Sequence, residues 1–327
     1  MEFEKDVIFS IRGPEEFHQR TLQVFRHQYN GNPVYRAFCD HLKKNPKTVI
    51  EVKEIPFLPI QFFKSKKVVV GDSHTGTTFT SSGTTGTATS KHLVTDMKLY
   101  EESFLRAFEL FYGPVANYCI LALLPSYLER QGSSLIYMVE ALIKASNHPK
   151  GGFYLGNLND LKNQLISLQN DEKKVLLIGV SFALLDLAEI LDVPLKNTTV
   201  METGGMKGRR KEMIRSELHS ILKTSFGIAH IHSEYGMTEL LSQAYSKGKG
   251  IFNCPPWMDI LIRDPEDPLS YQKSGKTGGI NVIDLANLNS CSFIATQDLG
   301  KRYHDGSFEV LGRFDHADVR GCNLMVL

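Results

Sequence analysis

From Val68 onward short apolar, β-branched runs alternate with longer segments of helical periodicity, and this alternation restricts the fold more than any other feature. Strand candidates are Val68–Val70, Thr77–Thr80, Leu93–Val94, Tyr118–Leu123, Val175–Ile178, Thr198–Met201 and Ala229–His232. Helix candidates are Asp96–Tyr112, Ser133–Ser146, Leu158–Gln169, Phe182–Leu191 and Arg209–Thr224. Connections of this length predict parallel strands covered by helices, so the expected class is α/β. Beyond Gly250 the helical pattern stops and short strands with Gly and Asp turns take over. The expected organisation is therefore a helical and α/β region over 1–250, followed by a small β-rich subdomain over 251–327 that completes the same large domain. The start of the chain is helical: Pro14 opens a segment with Phe17, Thr21, Val24, Phe25 and Gln28 on one face, and Gly31 stops it. A second short helix runs from about Val34 to Lys44, and Pro56 and Pro59 forbid a long helix after it.

Composition excludes several functions. A formal charge of +1 gives no broad electrostatic footprint for nucleic acid. The cluster Lys207, Arg209, Arg210, Lys211 reads as a solvated helix start. Five cysteines without close pairing fit neither a zinc ribbon nor a disulfide framework, which points to a reducing cytoplasm. The most apolar run, Val175–Leu185, is shorter than the ~20 residues that span a bilayer. No membrane span is expected.

The stretch from Thr80 to Lys91 is the most informative chemically. Ser81, Ser82, Gly83, Thr84, Thr85 and Gly86 lie in one hydroxyl-rich loop ending near Lys91. Glycine lets backbone amides converge on a common centre, hydroxyls add donors, and the lysine adds positive charge, which suits phosphate. A Walker A loop is excluded, because Gly86 is followed by Thr87 rather than by Lys and Ser or Thr. Lys91–Val94 reads as a second strand, with Thr95 or Asp96 capping the helix after it. The loop therefore joins two strands. A flexible surface loop has the same composition.

The run SSGTTG followed by lysine resembles the phosphate-binding signature of the adenylate-forming superfamily of acyl-CoA synthetases, luciferases and peptide-synthetase adenylation domains. Three further segments resemble that superfamily in the same order. In Ser233–Glu239 the resemblance implies that Tyr235 and Gly236 flank adenine, that Thr238 meets the α-phosphate and that Glu239 holds Mg²⁺. The electrostatics agree: a carboxylate about 4 Å from a phosphate is repelled by roughly 4 kcal/mol at an effective dielectric near 20, and a cation between them reverses the sign. A helix N-terminus containing Thr238 and Glu239 in its first turn is compatible with this reading. In Thr296–Gly300 the resemblance assigns Asp298 to the ribose hydroxyls, which a carboxylate accepts well. In Gly312–Asp315 it assigns Arg313 to ribose or phosphate and Asp315 to a hinge. Gly204 and Gly205, after a predicted strand, correspond to the small-residue loop against the adenine face.

The wording of the motifs is most similar to bacterial acyl-protein synthetases, the fatty-acid-activating component of bioluminescence systems, with phenylacetate-CoA ligases as the neighbouring branch. The resemblance implies ATP, Mg²⁺ and a carboxylic acid bound between the large α/β region and the small β region. Acyl-AMP then passes its acyl group to a protein thiol. Lys91, Thr238, Glu239 and Arg313 are the expected catalytic groups, with Lys207 as a further cation. Superfamily members continue for about a hundred residues past the hinge as a lid carrying a lysine, whereas twelve residues follow Asp315 here. The mobile lid is thus expected to be absent, with other cations or a partner chain completing the site. Cys322, beside Arg320, is the candidate acyl acceptor, ahead of Cys254. His232 is a candidate for the acyl carboxylate. Transfer to CoA, and a lid-less nucleotide-binding module without turnover, are the alternatives.

Overall fold

The computed structural model describes residues 7–71, 76–81, 89–125, 132–204, 210 and 213–314. The chain divides into two compact units, Met1–His74 with Pro256–Leu327, and Thr75–Pro255.

The discontinuous unit begins with helices α1 (Pro14–Gly31) and α2 (Pro33–His41). Proline occupies the first turn of each, where its missing N–H costs nothing. Asn32 sits between them and accepts from the Tyr35 N–H, capping α2. Strand β1 (Leu58–Pro59) and the single-turn helix α3 (Phe62–Ser65) follow. Val68–Val70, expected as a strand, is buried at Val68 and Val69 but joins no sheet. The Val70 N–H donates to Asn289 instead.

The continuous unit opens with the antiparallel hairpin β2 (Thr77–Thr80) and β3 (Lys91–Val94). Helix α4 (Met97–Tyr112) is capped by Asp96, whose carboxylate accepts from the Lys98 and Leu99 N–H groups. Then come β4 (Tyr118–Leu123), α5 (Ser134–Ser146), β5 (Gly152–Phe153), α6 (Leu158–Ser167), β6 (Lys174–Gly179), α7 (Ser181–Ile190), β7 (Thr198–Thr203), α8 (Arg215–Phe226) and β8 (His232–Tyr235). Strands β5, β4, β6, β7 and β8 are parallel in that spatial order, and β9 (Ala244–Ser246) and β10 (Ile251–Asn253) extend them antiparallel. Every residue of β4 is buried, as expected for a strand covered on both faces.

The chain then returns to the first unit with β11 (Met258–Arg263), β12 (Gly278–Asp284), β13 (Phe293–Arg302) and β14 (Phe308–Arg313), an antiparallel meander. β1 adds to β13 in parallel. This pairing explains why the first helices group with the last strands. The Gln28 amide, fully buried, donates to the Asn287 and Leu288 carbonyls and to Ser292 Oγ, and accepts from the Ser292 N–H. Rings of Phe25, Tyr35, Phe57 and Phe293 pack in one cluster. These long-range contacts of Gln28, Phe25 and Tyr35 hold the first helices with the last strands within one unit.

Two further elements differ from expectation. The strand placed at Ala229–His232 lies at β8, pairing β7 on one side and β9 on the other. The helix expected from Arg209 begins at Arg215.

Candidate functional site

Parallel strands end where their carbonyls and the following turns face one crevice, the usual place for ligands in α/β sheets. At that end of the continuous unit, β7 finishes at Thr203 and Gly204 follows with φ +70°. That left-handed conformation suits glycine. Ser181, opening α7, donates its hydroxyl to the Gly204 carbonyl at 2.5 Å. β8 finishes at Tyr235, whose ring packs against Phe252 at 6.0 Å between centroids. Gly236 follows, and a Cβ there would stand 2.4 Å from Glu234 Oε1.

Thr238 and Glu239 do not open a helix. They lie in a turn leading to β9, and Glu239 is buried. The hairpin that frames the hydroxyl-rich loop is joined to this turn. His92 of β3, fully buried, donates from Nδ1 to the Thr238 carbonyl at 2.8 Å. A carbonyl can only accept, so the imidazole carries its proton on Nδ1 there. The base of the loop is closed by two hydrogen bonds, Ser81 N–H to the Ser90 carbonyl and Ser90 N–H to Ser81 Oγ. Lys91, next to His92, is exposed on the same strand. Ser82, Gly83, Thr84, Thr85, Gly86, Gly205, Asp315 and Cys322, singled out by sequence, lie outside the described residues, as does Lys207.

Two carboxylates lie at the ends of the neighbouring strands β7 and β8, on opposite faces of the sheet. Glu202 and Thr203 pair in register with Ser233 and Glu234. Burial pushes the Glu202 carboxyl up, but the His219 hydrogen bond and the Arg215 charge outweigh it and leave it below the usual range. Arg215 Nε lies 3.2 Å from Glu202 Oε1, and His219 Nε2 3.5 Å. For Glu234, burial dominates, a hydrogen bond from Thr203 opposes it, and the Glu202 charge adds to it, so its carboxyl rises to about 7. His232, two residues earlier, is lowered to about 4 by burial and by Lys247 and His230. It is therefore neutral near pH 7, sharing a 3.2 Å hydrogen bond between Nδ1 and Tyr112 Oη.

In the discontinuous unit, Asp298 and Arg313 face each other across β13 and β14. Arg313 Nε is 3.6 Å from Asp298 Oδ1, and Arg313 is 73% exposed against 15% for the aspartate, so solvent screens the pair. The Asp298 N–H donates to Thr296 Oγ1, which donates in turn to the Ile280 carbonyl. Arg263 lies over the Phe314 ring and donates to the Thr296 carbonyl. The sequence-selected residues thus form two described groups, one in each unit. His92, Thr203 and Glu234 were missed, since their partners are distant in sequence.

Among the described residues no group of three or more His, Cys, Asp or Glu side chains could hold a metal ion. Magnesium commonly takes one or two carboxylates and completes its shell with phosphate and water. Glu239 alone fits that demand only when phosphate is present. Among the described residues, too, no helix is long and apolar enough to cross a membrane. A concavity of about 400 Å³ lined by Phe111, His230, Tyr245, Lys247 and Lys249 contains none of the motif residues.

A family model described as acyl-protein synthetase, LuxE, matches residues 12–125. No curated protein matches the chain. Among solved structures, 2-hydroxyisobutyryl-CoA ligase in an open conformation with 2-HIB-AMP and CoA is similar at a TM-score of 0.67 and 13% identity, covering 92% of this chain and 70% of that one. The same ligase in its thioesterification state gives 0.68 and 14%, covering 97% and 74%. ATP-bound MatB from Rhodopseudomonas palustris gives 0.55 and 14%, covering 86% of this chain and 58% of the MatB chain, so less than two thirds of its length is spanned. The chain has the adenylate-forming ligase fold, a mixed α/β architecture with a large sheet covered by helices.

Proposed function

We propose that the protein is an ATP-dependent ligase that activates a carboxylic acid, of the fatty class, as its acyl-adenylate and passes the acyl group to a protein thiol. The observation that carries this reading is the His92 bridge. It fastens the hydroxyl-rich hairpin to the Thr238–Glu239 turn beyond the parallel strands of an adenylate-forming fold. The hairpin amides and hydroxyls, Ser81 through Gly86, then bind the phosphates, with Lys91 opposing their charge. Thr238 orients the α-phosphate. Tyr235, Gly236, Gly204 and Gly205 contact adenine. Asp298 accepts the ribose hydroxyls and Arg313 takes ribose or phosphate. Glu239 would hold Mg²⁺, which would neutralise phosphate charge during transfer. No protein base is required for the first step, since the acid is already ionised at pH 7. Positioning and charge stabilisation supply the catalysis.

The protein-thiol acceptor is supported by the acyl-protein synthetase match over residues 12–125. Of the described cysteines, Cys39 and Cys119 are buried and burial pushes their thiols up to about 12 and about 11, which suppresses thiolate. Cys291 is buried and raised as well. Cys254 is half-buried, so it and Cys322 remain the candidate acceptors within the chain. A CoA acceptor is the second reading, favoured by the CoA named with the similar ligase.

The test is exchange of labelled pyrophosphate into ATP across a graded series of carboxylic acids. Exchange that depends on one acid class is expected. ATP binding without exchange for any acid would reduce the protein to a nucleotide-binding module. Release of AMP on adding CoA, compared with a purified protein thiol, then separates the two acceptors.

A further inference from the structure

The mechanism above does not use Glu234, a titratable group at the strand ends. Glu234 stands immediately before Tyr235, and its carboxyl touches both turns at the end of the sheet. Thr203 Oγ1 donates to Glu234 Oε2 at 2.6 Å, so one oxygen is tied to the residue preceding Gly204. The other oxygen lies against Gly236, where even a methyl carbon would approach to 2.4 Å. A shift of this carboxyl moves the two turns relative to each other.

Its surroundings discourage charge. Along a strand, neighbouring side chains point to opposite faces, which separates Glu234 from Ser233 and Thr203 from Glu202. Glu202 shares its face with Arg215 and His219 from α8. The groups around Glu234 are different. They are Thr203 of β7, Tyr112 of α4 and Tyr245 of β9, the two tyrosines being close enough to feel the Glu234 charge. His232 of β8 precedes it by two residues and is neutral near pH 7, and Lys247 lies over the far ring of Tyr112 at 5.7 Å. Glu202 contributes a fixed negative charge from the opposite face.

We propose that Glu234 is a positioning residue for the nucleotide, whose carboxyl holds the Thr203–Gly204 turn against the Tyr235–Gly236 turn so that both can receive it. This rests on the adenylate-forming reading of those turns. A polyanion brought to the strand ends further disfavours the ionised carboxyl, so nucleotide binding and proton uptake at Glu234 reinforce each other. By linkage, raising the pH above neutrality weakens nucleotide binding through this residue.

The experiment measures ATP affinity, without an acid substrate, from pH 6 to 8.5 for the wild type, Glu234→Gln and Glu234→Ala. The ratio of wild-type to Gln-variant dissociation constants cancels the titration of ATP itself. That ratio is expected to rise up to about 10-fold between pH 6 and 8.5, since Gln keeps an acceptor for Thr203 and cannot ionise. The Ala variant is expected to bind more weakly than the Gln variant throughout. Calorimetry in buffers of different ionisation enthalpy should show proton uptake on ATP binding near pH 7.5 for the wild type and less for the Gln variant. A ratio that stays flat while the wild type binds ATP and exchanges pyrophosphate would overturn the inference and leave the adenylate-forming reading intact. Absence of ATP binding in all three proteins, each folded by circular dichroism, would remove both.

Discussion

Glu202 and Glu234 occupy neighbouring strand ends yet respond to burial in opposite ways, because only the first has an arginine and a histidine beside it. The consequence is a stability that depends on pH. A carboxyl raised from 4.5 to about 7 binds its proton more tightly in the folded than in the unfolded chain. Folding therefore loses stability as pH climbs from about 4.5 through 7, by an amount on the order of 3 kcal/mol. Replacing Glu234 by Gln is expected to raise the urea midpoint at pH 8 and to give little gain at pH 5. Equal gains at both pH values would contradict this origin. Asp298 presents the opposite case. Its ion pair with exposed Arg313 contributes no more than about 1 kcal/mol. Asp298→Ala should thus leave the thermal midpoint nearly unchanged while weakening ATP binding about 10-fold or more, read by titration calorimetry.

Among the elements, the β2–β3 hairpin matters through one contact. Removing the fully buried His92 imidazole opens a void and takes away the donor to the half-buried Thr238 carbonyl, a hydrogen bond worth about 1 kcal/mol. His92→Ala is expected to lower both the urea midpoint and pyrophosphate exchange, whereas Lys91→Ala, at an exposed position, lowers exchange with little change in the midpoint. A stable variant with full exchange would separate the hairpin from the turn. The sequence revealed much at this scale. α4 and α5 were read nearly to the residue, since Asp96 and Ser133 are capping residues followed by apolar helical stripes. β4 was read in full from its uninterrupted apolar run. β8 was placed too early, because Ser233–Gly236 has turn-like composition and only pairing with β7 and β9 on both sides holds it extended. Val68–Val70 has strand composition but no ladder to join. The order of the motifs was legible, whereas the His92 bridge was not. Its partner lies 146 residues away, and no local pattern announces such a contact.

For the molecule as a whole, Thr75–Pro255 is one uninterrupted run with its own buried parallel strands, whereas the other unit is made of two chain segments. The continuous run, expressed as residues 75–255, is expected to fold alone and to unfold cooperatively in urea, followed by near-ultraviolet circular dichroism. A broad transition without fixed aromatic signals would show that its sheet depends on the remainder. The discontinuous unit imposes a schedule on synthesis. Gln28 emerges from the ribosome early, but the carbonyl it seeks at Asn287 is translated 259 residues later. At about 5–20 residues per second, the nascent first helix waits roughly 13–50 s for its partner strands. Throughout that interval Phe25 has no Phe293 ring to pack against, which leaves that face of the first helix open to capture or misassociation.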